Sequence, residues 1–179
     1  MSIELPLVTQ RLTLRAFRPD DAGPLLAVYD DPDLARYLLD EPWTPDVARE
    51  RVDQRLGQTG LDTESRTLCV AVEHGPTLIG DVTCWLNDAT GRRAEISWVL
   101  ATASSGHGYA AEATTAVLDA VFAAGIHRVE AQMDARNEAS AALAERLGMT
   151  REAHLRQNWW IKGEWTDTLV YGLLADDRA

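Results

Sequence analysis

The chain has 179 residues, of which 46% are apolar and 25% are charged, and its formal net charge is -11. This length and composition suit a single folded domain over residues 1–179 and exclude a largely disordered chain. The excess of acidic residues argues against a protein that binds duplex nucleic acid, because such proteins present a basic face.

The first third of the chain predicts one strand and two helices. Leucines that alternate with polar residues indicate the strand. Each helix opens at a proline, the first beside two aspartates and the second behind a threonine cap. These elements span Thr9–Phe17, Pro19–Tyr29 and Thr44–Gln58.

The middle of the chain predicts three consecutive strands joined by short turns. Apolar and polar residues alternate over Arg66–Glu73, Thr77–Leu86 and Arg93–Leu100. Strands connected so closely pair with their sequence neighbours, so we expect an antiparallel meander.

Helices and strands alternate in the last part of the chain. Apolar residues at helical spacing, followed by a glycine, indicate helices, and alternation indicates strands. The predicted elements are the helix Gly108–Ala124, the strand His127–Asp134, the helix Asn137–Leu147 and the strands Arg151–Ile161 and Trp165–Leu174.

A glycine-rich turn separates the central strand from the helix that follows it. It runs from Ser105 to Ala110, with small residues at positions 106, 108 and 110. Such a turn exposes its amide groups, and the helix N-terminus adds unpaired N–H groups and a positive dipole end. The segment predicts a phosphate-binding turn, although a tight loop without a ligand has the same residues. It lacks the lysine of a Walker A loop, and the strand before it belongs to an antiparallel meander rather than a dinucleotide-binding sheet.

The segment Gly106-His107-Gly108-Tyr109-Ala110-Ala111-Glu112-Ala113 resembles the G-x-G-Y-A-x-E-A signature of the GNAT acetyltransferases, in their RimJ/RimL-like branch. The resemblance extends over nearly the whole chain, through the opening strand Thr9–Arg15, the central strand Glu95–Leu100 and the helix start Asn137-Glu138-Ala139-Ser140. It implies an α+β (mixed α/β) GNAT fold. In that fold a central, mostly antiparallel sheet of about seven strands splays open and is flanked by about four helices.

The resemblance also implies where acetyl-CoA binds. The pantetheine arm would lie between the strands that end at Leu100 and Asp134. The residues implied to contact the co-substrate are Trp98, Val99 and Leu100 through their backbone, Ser105, Gly106, His107, Gly108, Tyr109 and Ala110 at the pyrophosphate, and Asn137 at the pantetheine. One backbone N–H of the central strand would polarise the thioester carbonyl. Ser105 and His107 replace side chains that are often basic or Gln in the family, which reduces the charge offered to the phosphates but not the backbone contribution.

Two side chains are candidates for the proton transfers. An ammonium acceptor must lose a proton before it attacks, and Glu95 is a carboxylate on the central strand beside the implied cleft. Its alternative interpretation is a solvated or salt-bridged strand residue. The tyrosine that many family members use as an acid is absent from Leu143–Arg146, so Ser140 is the candidate acid, or else a helix hydroxyl bonded to the backbone. Some relatives carry a glutamate near Trp159, where this chain has tryptophan.

Other potentially reactive residues receive simpler interpretations. Cys69 and Cys84 lie in predicted strands, where we expect small buried hydrophobes rather than redox groups. The four histidines have no metal-ligand spacing, and no metal site is expected. Four of the six tryptophans lie on strands near the implied cleft, where they either pack in the core or stack around an acceptor amine. These four are Trp85, Trp98, Trp159 and Trp160.

The sequence therefore predicts an enzyme that transfers an acetyl group from acetyl-CoA to a small-molecule amine or a peptide N-terminus by direct attack on the thioester. The alternative is a GNAT-shaped sensor or scaffold that only binds acyl-CoA. No nucleic-acid or membrane partner is expected. Met1–Leu7 lacks the basic flank and apolar run of a signal peptide, so we expect a cytoplasmic protein. A homodimer is expected by analogy with relatives.

Overall fold

The computed structural model describes residues 3–178, so Met1 and Ser2 of the N-terminal segment lie outside the described residues. Over this range the chain forms nine strands and five α-helices. The strands are β1 (Leu7–Val8), β2 (Leu12–Arg15), β3 (Thr59–Gly60), β4 (Thr67–His74), β5 (Thr77–Leu86), β6 (Arg93–Leu100), β7 (Arg128–Asp134), β8 (Thr150–Ile161) and β9 (Glu164–Leu174). The helices are α1 (Ala22–Tyr29), α2 (Pro32–Ala35), α3 (Pro45–Leu56), α4 (Tyr109–Ala123) and α5 (Glu138–Arg146).

All nine strands belong to one sheet, in the order β1-β2-β4-β5-β6-β7-β9-β8, with β3 paired to β4. The predicted meander of β4, β5 and β6 is confirmed, and both of its pairings are antiparallel. Strands β6 and β7 are parallel and are connected through α4. The mostly antiparallel sheet flanked by helices confirms the predicted α+β fold.

Helices cover both faces of the sheet and define two apolar cores. The larger core joins the sheet to α4 and α5, and Ile96 and Val117 are among its buried side chains. The smaller core lies under α1 and α3, where Leu25 and Val52 pack with Cys69 of β4. The sheet is therefore fixed from both sides, because each helix buries an apolar stripe against it.

Both cysteines are buried and free, as the sequence predicts. Burial is the largest effect on each thiol and raises the pKa of both Cys69 and Cys84 to about 12. A thiol with so high a pKa is not a thiolate nucleophile at neutral pH. The two side chains act as small apolar residues of the cores.

The parallel pairing of β6 and β7 ends almost as soon as it begins. Three residue pairs are in register, from Arg93 opposite Arg128 to Glu95 opposite Glu130. Beyond them β6 continues beside β5 and β7 continues beside β9. From Ile96 onward the two strands part, so the predicted splay at the centre of the sheet is confirmed.

Short elements account for the differences from the sequence prediction. β1 and β3 have two residues each and α2 has four, too few for a periodic pattern to be recognised. The opening strand Leu12–Arg15 is shorter than the predicted Thr9–Phe17, because residues 9–11 form the turn between β1 and β2, where the Thr9 N–H donates to the Leu12 carbonyl at 3.0 Å. None of the helices described between residues 3 and 178 combines the length and the hydrophobicity of a membrane-spanning segment.

Candidate active site

A cavity of about 660 Å³ opens where β6 and β7 part. It is bounded by these strands, by β5, by the α1–α3 region and by the β8–β9 hairpin. Five of the sequence-predicted site residues line it: Glu95, Trp98, Val99, Asn137 and Ser140. Leu100 and the glycine-rich turn at 105–110 do not line this cavity, since they lie at and beyond the carboxyl end of β6.

The backbone groups of β6 point alternately to β5 and to the gap. The Ala101 N–H donates to the Ile79 carbonyl at 2.8 Å, and the Asn87 N–H donates to the Arg93 carbonyl at 3.2 Å. The register between these two bonds is unbroken. Because successive strand residues direct their backbone groups to opposite edges, odd-numbered residues from 93 to 101 bond to β5 and even-numbered residues face β7.

This alternation divides the three residues that the sequence predicted as backbone ligands. Trp98 and Leu100 present their N–H and C=O groups to the gap, whereas the backbone of Val99 is directed to β5 and its side chain lines the cavity. Gly80 makes the close approach of β5 possible, because a Cβ there would lie 2.1 Å from the Val99 carbonyl oxygen and the residue has φ +151. Of the three residues, Trp98 and Leu100 offer backbone groups to the gap and Val99 offers its side chain, and co-substrate binding by these residues stays a prediction.

Glu95 is a half-buried carboxylate in the cavity, on the same side of β6 as Ser97 and Val99. Its cross-strand neighbours are Trp85 on β5 and Glu130 on β7. Burial, and then the negative charge of Glu130, raise the pKa of Glu95 to about 7. No cation in the described part of the chain offsets these effects. Glu95 is thus not the salt-bridged strand residue of the alternative interpretation.

Glu130 is held in place beside Glu95, on the neighbouring strand. Its carboxylate accepts from the Asn87 side chain at 2.9 Å and forms ion pairs with Arg93 at 3.2 Å and Arg128 at 3.5 Å. Sequence reasoning missed this residue, because nothing in the strand pattern indicates that the parallel register places two carboxylates side by side. The consequence is a fixed negative charge next to Glu95.

Asn137 and Ser140 form the start of α5 at the edge of the cavity. The Asn137 side-chain oxygen accepts from the Ser140 N–H at 3.0 Å, so the asparagine caps the helix. The Ser140 side chain lines the cavity, and its hydroxyl forms no hydrogen bond with any residue between 3 and 178. The spacing N-x-x-S therefore builds the cap and leaves a hydroxyl available in the cleft.

The glycine-rich turn ends at the N-terminus of α4. Gly106 and Gly108 both have φ +78, a conformation that favours glycine, and Tyr109 is the first helical residue. A Cβ on Gly106 would meet no atom within 4 Å, so the space above the turn is open. The first-turn amides of α4 have no partner within the helix, which leaves them free for an anion.

Three residues that sequence reasoning did not assign to the site hold this turn, and we call Thr9, Arg11 and Glu112 the turn clamp. The Arg11 guanidinium donates to the His107 carbonyl at 2.8 Å and to Glu112 at 2.7 Å, and it lies 4.6 Å from the centroid of the Tyr109 ring. The Thr9 hydroxyl donates to Glu112 at 2.6 Å. Although burial acts in the opposite direction, these bonds lower the pKa of Glu112. Arg11 and Glu112 each lie in a segment that resembles the family. Their sequence positions differ by 101, so the contact between them cannot be predicted from either segment.

A second group that the sequence did not indicate forms the far wall. The Tyr29 hydroxyl donates to the buried Asp81 at 2.8 Å, and the Tyr29 ring stacks on Trp43 with centroids 3.8 Å apart. Arg55 forms an ion pair with Asp81 at 3.5 Å and lies over both rings. Burial raises the pKa of Tyr29 well above its usual value, so its hydroxyl stays a donor. These residues come from α1, α3 and β5 and the segment before α3, and no local motif links them.

The tryptophan prediction holds for three residues and is wrong for one. Trp85, Trp98 and Trp159 line the cavity. Trp160 is 61% exposed and packs edge-on against Trp165, because successive strand residues point to opposite faces. Residues 3–178 contain no group of three His, Cys, Asp or Glu side chains that could hold a metal ion.

Comparison with known proteins gives matches over almost the whole chain. Residues 11–150 match the family model described as the acetyltransferase (GNAT) domain. The uncharacterized N-acetyltransferase p20 of Bacillus licheniformis is 31% identical over 177 residues, which are 97% of this chain and 98% of the relative.

Solved structures share the fold. The crystal structure of a GNAT-family acetyltransferase from Bacillus anthracis has a TM-score of 0.87 at 24% identity. The match covers 96% of this chain and 99% of the Bacillus anthracis chain. RimL, the ribosomal L7/L12 alpha-N-protein acetyltransferase solved in complex with coenzyme A, has a TM-score of 0.84 at 21% identity, over 97% of this chain and 99% of its own.

Proposed function

Because the chain belongs to the GNAT family of N-acetyltransferases, with RimJ/RimL-type proteins among those it resembles, we propose that it transfers an acetyl group from acetyl-CoA to a primary amine. The observation that carries the proposal is the cavity where β6 and β7 part, with the half-buried Glu95 exposed to it. The acceptor is a small-molecule amine or a peptide N-terminus, and residues 1–179 act as one acetyltransferase domain.

Glu95 is the proposed general base. An amine in neutral water is mostly ammonium and has no lone pair for attack, so a proton acceptor is needed beside the acceptor nitrogen. A carboxyl group with a pKa of about 7 is partly ionised at neutral pH and takes the proton more readily than an ordinary carboxylate. Its lack of a salt-bridge partner within the described residues leaves the carboxylate available to the ammonium.

The backbone and the turn fit the co-substrate. Free N–H and C=O groups of Trp98 and Leu100 face the gap that would receive the pantetheine, and the open space above Gly106 adjoins the first-turn amides of α4. We propose that the amides of residues 105–110 hold the pyrophosphate and that Asn137 packs beside the pantetheine. Bound there, acetyl-CoA supplies the acetyl group as an electrophilic thioester.

Ser140 and β6 are proposed to serve the remaining steps. As the acceptor nitrogen bonds to the carbonyl carbon, a backbone N–H of β6 that faces the gap stabilises the negative charge on the carbonyl oxygen. When the carbon–sulfur bond breaks, the nitrogen releases its second proton to solvent to become the neutral amide. The Ser140 hydroxyl donates its proton to the departing thiolate and regains one from solvent, so the thiol leaves and Ser140 is restored. The hydroxyl suits this role because it lines the cavity without a partner among residues 3–178.

The test is release of free thiol from acetyl-CoA in the presence of a panel of primary amines and short peptides. Acetyl transfer predicts thiol release that depends on both substrates and yields an N-acetylated product by mass spectrometry. Coenzyme A binding measured by calorimetry, without turnover of any acceptor, would replace the enzyme with an acyl-CoA-binding sensor. Absence of both binding and turnover would refute the co-substrate assignment itself.

A further inference from the structure

Six aromatic side chains are among the residues that line the cavity, and three of them concern the acceptor. Trp85 lies directly opposite Glu95 across the β5–β6 pair, so its ring stands beside the carboxylate. Tyr37 and Trp159 line the same cavity, and Trp159 is 44% exposed. A flat apolar group next to Glu95 can therefore pack against the Trp85 ring, with the smaller polar side chains of Ser97 and Thr83 further along the same two strands.

The charged side chains of the cavity are already paired, with one exception. Arg51 pairs with Asp40 at 2.8 Å, and Asp134 is held by Arg136 at 2.7 Å. Arg55, the other cation in the lining, pairs with Asp81 behind it, as described above. Of the carboxylates that line the cavity, Glu95 alone has no salt bridge within the described chain.

This charge pattern restricts the acceptor. A polyamine carries several ammonium groups along its length and needs several free carboxylates at matching spacing, whereas this cavity offers one. An amino acid brings a carboxylate of its own, and both arginines of the lining are engaged by aspartates. Placing an unpaired charge in a partly buried cavity costs free energy, so both classes are disfavoured.

Resting on the proposed acetyl transfer, we propose that the acceptor is a small primary amine with a single positive charge and a flat apolar body, of the arylalkylamine class. The ammonium lies at Glu95, which removes its proton, and the ring packs against Trp85 with Trp159 and Tyr37 around it. The aromatic surface and the single free carboxylate then act together as the specificity determinants.

Four matched acceptors test the proposal through initial rates of thiol release at saturating acetyl-CoA. Tryptamine has both features, n-butylamine lacks the ring, L-tryptophan adds a carboxylate, and spermidine adds charges. We expect kcat/KM for tryptamine to exceed that of n-butylamine at least tenfold, and those of L-tryptophan and spermidine at least a hundredfold. An alanyl peptide amide serves as a fifth acceptor, of the peptide class. A higher kcat/KM for spermidine, for L-tryptophan or for this peptide amide would overturn the proposal and leave acetyl transfer intact.

Two substitutions test whether the Trp85 ring causes the preference for tryptamine over n-butylamine. Trp85→Leu should reduce the ratio of kcat/KM for tryptamine over n-butylamine at least fivefold, while Trp160→Leu, on the opposite face of its strand and outside the cavity, should leave that ratio unchanged. An unchanged ratio in a folded Trp85→Leu protein, verified by circular dichroism, would contradict the proposal. If these acceptors fail while another amine or peptide of the wider panel is acetylated, only this inference fails; if the whole panel fails while coenzyme A still binds, the proposed function fails as well.

Discussion

The Glu95 side chain predicts a distinctive dependence of turnover on pH. Its pKa of about 7 follows from burial and from Glu130, so the ionised, proton-accepting form increases as pH rises through neutrality. Turnover should rise along this limb and level off above it. Glu95→Gln should lower turnover about 10²–10⁴-fold at pH 7, with a deficit that shrinks towards the pKa of the amine, where solution supplies free amine.

The experiment is a pH–rate profile from pH 6 to 10 for both proteins, with Glu50→Gln on the exposed surface of α3 as the matched control.

The stability of the folded protein gives an independent check on the pKa of Glu95. Because the pKa of Glu95 is raised in the folded state, the folded protein binds this proton more tightly than the unfolded chain between about pH 4.5 and 7. Stability falls as pH rises through that window, and Glu95→Gln should remove this fall. A rate deficit that is constant at every pH would dismiss Glu95 as the base.

Ser140 should affect the chemical step more than binding. Its N–H is already satisfied by Asn137, so Ser140→Ala keeps the helix cap and removes only the hydroxyl. We expect turnover to fall at least tenfold, with the coenzyme A dissociation constant changed less than twofold, because a proton donor to the thiolate acts in the transition state. Ala139→Ser, at the exposed position immediately before Ser140, serves as the control. Full turnover of Ser140→Ala, with chemistry rate-limiting, would limit Ser140 to a structural role.

Sequence reasoning reached these two residues because short motifs surround them. It missed Glu130, Asp81 and the turn clamp, whose roles arise from contacts between distant segments. Arg11 contacts Glu112 across 101 residues of sequence, and no local period or spacing encodes such a pair. Long-range polar contacts of this kind follow from the packed fold and cannot be predicted from local patterns.

At the scale of elements, the turn clamp ties the opening segment before β2 to the helix that follows the glycine turn. Glu112→Gln keeps the side-chain size but removes the charge that binds Arg11, and Arg11 in turn holds the His107 carbonyl. The turn amides should then be less well positioned for phosphate. We expect the coenzyme A dissociation constant to rise about three- to tenfold, or about 0.7–1.4 kcal/mol, by calorimetry.

Asp46→Asn is the matched control for this change. Asp46 is also an acid in the first turn of a helix, and it pairs with the exposed Arg49 on α3. Its substitution should leave coenzyme A affinity unchanged. Equal affinity of the Glu112→Gln and wild-type proteins would mean that the glycine turn holds its shape without the clamp.

Element prediction succeeded where periodicity extended over several residues and failed where tertiary pairing decided the outcome. The helix start at Thr44 is correct because the side chain of Thr44 caps the N–H of Val47. The two-residue strands β1 and β3 exist only because β2 and β4 provide partners for them. The residue at which β6 separates from β7 cannot be recognised in the sequence either, because the alternation of residues in β6 continues unchanged past Ile96.

At the scale of the whole molecule, the alternating backbone of β6 predicts a distinct pattern of amide hydrogen exchange. Ser97 and Val99 bond to β5 with or without a ligand, whereas the amides of Trp98 and Leu100 face the gap. Coenzyme A should slow exchange at Trp98 and Leu100 by at least tenfold and change Ser97 and Val99 much less, as measured by nuclear magnetic resonance. Equal protection of all four amides would contradict this placement of the pantetheine.

The seam between β6 and β7 also coincides with a division of the chain. The strands β1 to β6 all precede residue 124, and β7, β8 and β9 all follow residue 127, so no antiparallel pair crosses the seam. The protein therefore suits fragment complementation: segments 1–125 and 126–179, expressed together, should reassemble through the shared apolar core. Coenzyme A spans the two segments under the proposed binding mode and should tighten their association, so the split protein would report the co-substrate by reassembly alone.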